Sequence, residues 1–162
     1  MSIRTRVMAL TVTLMLILAV VPASASTAGS TNNFTAHLSR DANVPAYDTN
    51  AQGELVLSFD PDTNTMDYIL IAANIQDVFA SHIHCALAGG NGPAGVTLFF
   101  SSEPVSKPNG VLAQGTISEP NPGNLCNWYS MADVVDAIRD GYAYVNMHTS
   151  VHTSGEIRGQ IH

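Results

Sequence analysis

Lysine and arginine are scarce in this chain: six among 162 residues, against 13 aspartates and glutamates, for a formal net charge of −7. That balance argues against nucleic acid and anionic membrane surfaces as partners, because both are held through clustered cations. Hydrolase signatures are missing as well. There is no Gly-x-Ser-x-Gly, and no Ser/His/Asp arrangement has a local signature. Paired carboxylates occur only in turns, as in Asp60-Pro61-Asp62. The glycine-rich stretch Ala86–Ala94 has no lysine and no helix behind it, so it reads as a wide turn and not a phosphate cradle. No second apolar run approaches membrane length, and there is no internal repeat or low-complexity tract.

The one long apolar run is N-terminal. Arg4 and Arg6 precede Val7–Val21, Pro22 ends the run, and Ala23-Ser24-Ala25 has the small-x-small form read by signal peptidase. Residues 1–25 are therefore expected to be an export signal cleaved after Ala25. Cleavage at Ala23 or Ser26, or an uncleaved anchor, is the alternative. The run is shorter than the ~20 residues of a spanning helix, and no cysteine follows it to carry a lipid. Residues 26–31 form a short polar lead-in, leaving 32–162 as one domain. The mature chain keeps four basic residues, Arg40, Lys107, Arg139 and Arg158, for a net charge of −9. Its expected place is secreted or extracytoplasmic, with no membrane contact beyond the signal.

Cysteine is nearly absent too, with only Cys85 and Cys126. In an oxidising compartment an even pair is expected to be bridged. The alternative is that Cys85, beside His84, is a thiolate ligand.

What remains reads as β-strands with turn punctuation. Phe34–Ser39 is a strand. Gly53–Phe59 alternates with Leu55, Leu57 and Phe59 on one face, and Asp60–Asn64 turns the chain into Thr65–Ala73. Phe79–Cys85, Gly95–Phe100, Val111–Ser118, Tyr142–Thr149 and Glu156–Ile161 complete about eight strands. One short helix, about 131–140, is expected from Ser130 as N-cap, Asp133 as the capping-box acid, the stripe Val134, Val135 and Ile138, and Gly141 as terminator. The implied fold is all-β, an antiparallel Greek-key-like sandwich with a core of Leu55, Leu57, Ile69, Ile71 and Val145.

Within that pattern, His82 and His84 alternate with Ile83 and share a strand face. His148 can supply a third imidazole from a neighbouring strand, and His152, four residues on, can cap the site. Three imidazoles suit copper or zinc. The competing arrangement is a polar layer in which the histidines hydrogen-bond Asn146, Glu156 and Arg158. Glu156 and Arg158, two apart in the last strand, read as an inter-strand ion pair, or as groups orienting the histidines with Glu156 accepting an imidazole N–H. His37 reads as a surface histidine, and Met147 as core.

The segments His82-Ile83-His84-Cys85, Gly89-Gly90-Asn91-Gly92-Pro93, Val96-Thr97-Leu98-Phe99, Gly141-x-Ala143-Tyr144-Val145-Asn146-Met147-His148-Thr149 and Gly155-Glu156-Ile157-Arg158-Gly159-Gln160-Ile161 resemble the CHRD domain, named for chordin, over roughly residues 32–162. The resemblance implies an exported module. Its partner would be a metal ion, copper or zinc, or an extracellular protein, with the histidines then serving as internal scaffold. In outline the chain is also similar to the copper/zinc superoxide dismutase sandwich. It departs in having no clear fourth and bridging histidine and no zinc-site aspartate, which puts a copper redox activity in doubt.

Overall fold

The structure, a computed structural model, describes residues 32–106 and 108–162. The signal and lead-in assignments, residues 1–25 and 26–31, lie outside the described residues. Among the described residues eight strands and one helix follow in order: β1 Asn33–Leu38, β2 Gln52–Asp60, β3 Thr65–Ala73, β4 Val78–Cys85, β5 Ala94–Val105, β6 Gly110–Ile117, α1 Met131–Arg139, β7 Ala143–Thr149 and β8 Ile157–Gln160. They form two four-stranded antiparallel sheets, ordered β1-β2-β3-β6 and β5-β4-β7-β8. The expected sandwich is found. At one side Ser39 exchanges backbone hydrogen bonds with Arg158, tying the end of β1 to β8.

Period-two alternation builds the core. Phe34, Ala36 and Leu38 of β1 and Leu55, Leu57 and Phe59 of β2 point inward. They meet Ile83 and Cys85 of β4, Val96 and Leu98 of β5, Val145 and Met147 of β7, and Ile157. The helix closes one end through Met131, Val134, Val135 and Ile138. Its capping box is formed: Asp133 N donates to Ser130 Oγ, and the Asp133 carboxylate accepts from Ser130 N. Gly141 follows it at φ 69°, the left-handed conformation that ends helices.

One core assignment is corrected. Ile69 is 41% exposed and Ile71 only half-buried, while Met66, Leu70 and Ala72 fill the interior. Tyr68-Ile69-Leu70-Ile71 is apolar at both parities, so its alternation does not choose a face. The hairpin register does, setting Leu70 opposite Leu55 and Met66 opposite Phe59.

Candidate metal centre

On β4, Ile83 and Cys85 enter the core, so His82 and His84 project from the opposite face of the sheet. On β7, Val145 and Met147 enter the core, which turns Tyr144, Asn146 and His148 outward with them. The register sets His84 opposite Tyr144, His82 opposite Asn146 and Ala80 opposite His148. His148 is thus a diagonal neighbour of His82. One ring nitrogen from each of the three histidines lies within 4.8 Å of the others.

This face is turned away from the sandwich core, yet His84 and His148 are buried and His82 is half-buried. Loops supply the cover. His84 Nδ1 lies 3.0 Å from the Gly92 carbonyl oxygen, and His148 Nδ1 lies 3.0 Å from that of Thr153. Each carbonyl can only accept, so each Nδ1 carries the proton and leaves Nε2 with a free lone pair. The turn bearing Thr153 is held down at Gly155, whose carbonyl accepts from Asn43 Nδ2. Gly155 has φ 111° and rests on the Asn146 amide, where a Cβ would come within 2.1 Å of Nδ2. Glycine is required there twice over, by conformation and by space.

Four buried side-chain atoms have no hydrogen-bond partner among the described residues: His82 Nδ1, His84 Nε2, His148 Nε2 and Asn146 Oδ1. Three of the four are imidazole nitrogens of the cluster. An unpartnered buried polar atom costs about 1–3 kcal/mol, so a structural polar layer would be expected to satisfy these nitrogens. Burial and the neighbouring imidazoles push His82 down to about 4. Burial pushes His84 to about 4 as well, against the Gly92 carbonyl, which favours the protonated ring. Burial also lowers His148, opposed by the Thr153 carbonyl. All three rings are therefore neutral at pH 7, the form that ligates metals.

Several expected roles are corrected. Glu156 and Arg158 do not pair with each other. The Glu156 carboxylate accepts from Thr49 Oγ1 at 2.7 Å and Thr149 Oγ1 at 2.8 Å. Arg158 donates to the carbonyls of Gly90 and Leu87 and to the Asn91 and Gln160 side chains. The reason is local: Glu156 lies in a bend just before β8, so the two are not alternate residues of one strand. Nor does Glu156 orient an imidazole, since backbone carbonyls do so. Asn146 bonds Ser154 O and none of the histidines. His152 is outside the cluster, stacked on Tyr47 at 4.0 Å between centroids. Cys85 and Cys126 are bridged as expected, which removes the alternative of Cys85 as a thiolate ligand.

Tyr144 was not anticipated. It stacks on His84, its hydroxyl meets both backbone groups of Gly92, and the Arg158 guanidinium lies 3.4 Å above its ring centroid. The available signal was its spacing: Tyr144 is four residues before His148 in one strand and so shares its face.

A cluster of three neutral imidazoles with no carboxylate among its members can hold one transition-metal ion and leave a coordination position open. Compared with known families, residues 34–161 match the family model of the CHRD domain. No curated protein and no solved structure matches the chain.

Proposed function

The chain belongs to the CHRD domain family, and on that premise we propose that it is an exported binding module holding one copper or zinc ion through His82, His84 and His148. The observation that supports this most is the set of three buried, unpartnered imidazole nitrogens in a group already gathered within 4.8 Å. An ion would satisfy atoms that otherwise carry a desolvation penalty. The Gly92 and Thr153 carbonyls would orient two of the ligand rings, the usual outer support of metal-bound histidine. The disulfide and the family support an extracytoplasmic location, and no helix among the described residues is long and apolar enough to cross a membrane.

A second reading is favoured by the family alone, whose domains are extracellular protein-interaction modules. In it the histidines are scaffold. Calorimetric titration of metal-stripped protein with Cu(II) and Zn(II) separates the two. One ion per chain is expected for wild type and none for His84→Ala. No tight uptake of either ion by wild type leaves the interaction module standing.

A further inference from the structure

Resting on the metal-binding reading, the donor set points to which ion is held. We infer that the site selects monovalent copper over divalent copper and zinc.

The three donors are all neutral. No carboxylate or thiolate joins the cluster among the described residues. Both cysteines are consumed in the disulfide. Glu156, the buried carboxylate of the adjoining turn, has an oxygen committed to each of Thr49 and Thr149. The charged side chain that does reach the cluster has the wrong sign for a dication. Arg158 sits 3.4 Å from the Tyr144 ring centroid, Tyr144 stacks on His84 at 4.9 Å, and the guanidinium acts on His84 as a repelling charge.

Burial turns this into selectivity. The cost of moving an ion out of water grows with the square of its charge, so a divalent ion meets about four times the penalty of a monovalent one. Anionic ligands normally offset that penalty, and here there are none. Coordination number acts in the same direction. Zinc on three protein ligands takes a water or other group in its fourth position, which this buried cluster would have to admit, whereas Cu(I) is content with three. Among divalent ions copper outranks zinc, so Cu(II) is the harder competitor. The protein's overall negative charge draws cations to its surface but is screened beyond about 8 Å at physiological salt, so it does not choose between them.

The test is competition titration of the metal-stripped full chain: Cu(I) against bicinchoninate without oxygen, and Cu(II) and Zn(II) against chelators of known affinity. Cu(I) is expected to bind at least about tenfold more tightly than either divalent ion. The bound copper couple should then lie above the aqueous one by about 59 mV for each tenfold between the two copper affinities. Asn146→Asp is nearly isosteric and puts a carboxylate opposite His82; it should narrow the gap. Divalent binding as tight as Cu(I), or a gap unmoved by Asn146→Asp, overturns the inference and leaves metal binding intact. Uptake of no ion at all overturns the metal-binding reading, and this inference with it.

Discussion

The His84 imidazole lies nearly flat against the Tyr144 ring, centroids 4.9 Å apart and planes 14° apart. The two residues are register partners on β4 and β7, and both reach Gly92: His84 through Nδ1, Tyr144 through its hydroxyl. A strand pair and a loop thereby fix one ring in both tilt and tautomer. Tyr144→Phe keeps the stack and removes the hydroxyl, loosening Gly92. We expect metal affinity to fall about tenfold, the lower end for losing an outer support of a ligand, with little change in melting temperature. Calorimetric titration beside thermal unfolding reads both, and unchanged affinity would remove Tyr144 from the positioning of His84.

The cluster's boundary is tested by histidines outside it. His37 is exposed and bonded to Glu54, and His152 is stacked on Tyr47. Substituting either with alanine is expected to leave stoichiometry and affinity unchanged, while His148→Ala abolishes tight binding. Loss of binding in His152→Ala would restore His152 as a ligand.

Acid should act later on metal binding than an ordinary histidine site implies. His82 and His84 sit at about 4 in the native protein, against 6.5 for an unperturbed ring. At these two rings protons therefore compete with the ion only as pH nears 4, and affinity should fall less between pH 7 and about 5.5 than at a site of unperturbed histidines. Stability of the metal-free protein behaves differently. Above 6.5 neither state is protonated at these rings and the full stability is present. As pH falls from 6.5 towards 4, the unfolded chain takes up protons that the native one refuses, so stability declines, and below 4 the loss is complete. His148, also lowered, adds in the same direction. Denaturation midpoints of metal-free protein across this range check the claim, and a flat profile would contradict it.

How far the sequence led depended on whether side-chain identity carried the information. Alternation in β2, the capping box at Ser130 and the His82–His84 spacing are all written in residue types, and each was legible. The face of β3 was not, because Ile69, Leu70 and Ile71 are interchangeable to a hydrophobic pattern and only the hairpin register separates them. The partners of Arg158, His84 and His148 were hidden for a different reason. They are largely backbone carbonyls of Leu87, Gly90, Gly92 and Thr153, groups every residue owns. The glycine-rich loop read as punctuation for the same reason, although its carbonyls make it the cover of the site.

The disulfide is expected to be complete in exported protein. Cys85 and Cys126 are 41 residues apart, and closing a loop of that length stabilises the fold by about 4 kcal/mol in the chain-entropy model. Thiol titration of denatured, unreduced protein should find essentially no free thiol. Cys126→Ser with Cys85→Ser should lower the denaturant midpoint accordingly.

Arg158 is 2% exposed and ties the glycine-rich loop to β8, donating to the Gly90 carbonyl at 2.6 Å and the Leu87 carbonyl at 3.2 Å. Its removal leaves those carbonyls without their charged donor and uncovers the Tyr144 ring. Arg158→Ala should therefore cost about 1.5–3 kcal/mol, the range for hydrogen bonds to a charged group. The structure also makes the effect local. Amides of residues 87–92 should lose hydrogen-exchange protection well before those of β2 and β3, because the loop is fastened to β8 through this side chain while the hairpin is held by its own ladder. Glu156 should be indifferent, since its partners are Thr49 and Thr149. Destabilisation with uniform loss of protection would mean that Arg158 supports the sandwich as a whole. An unchanged denaturation midpoint would mean that the loop is held without it.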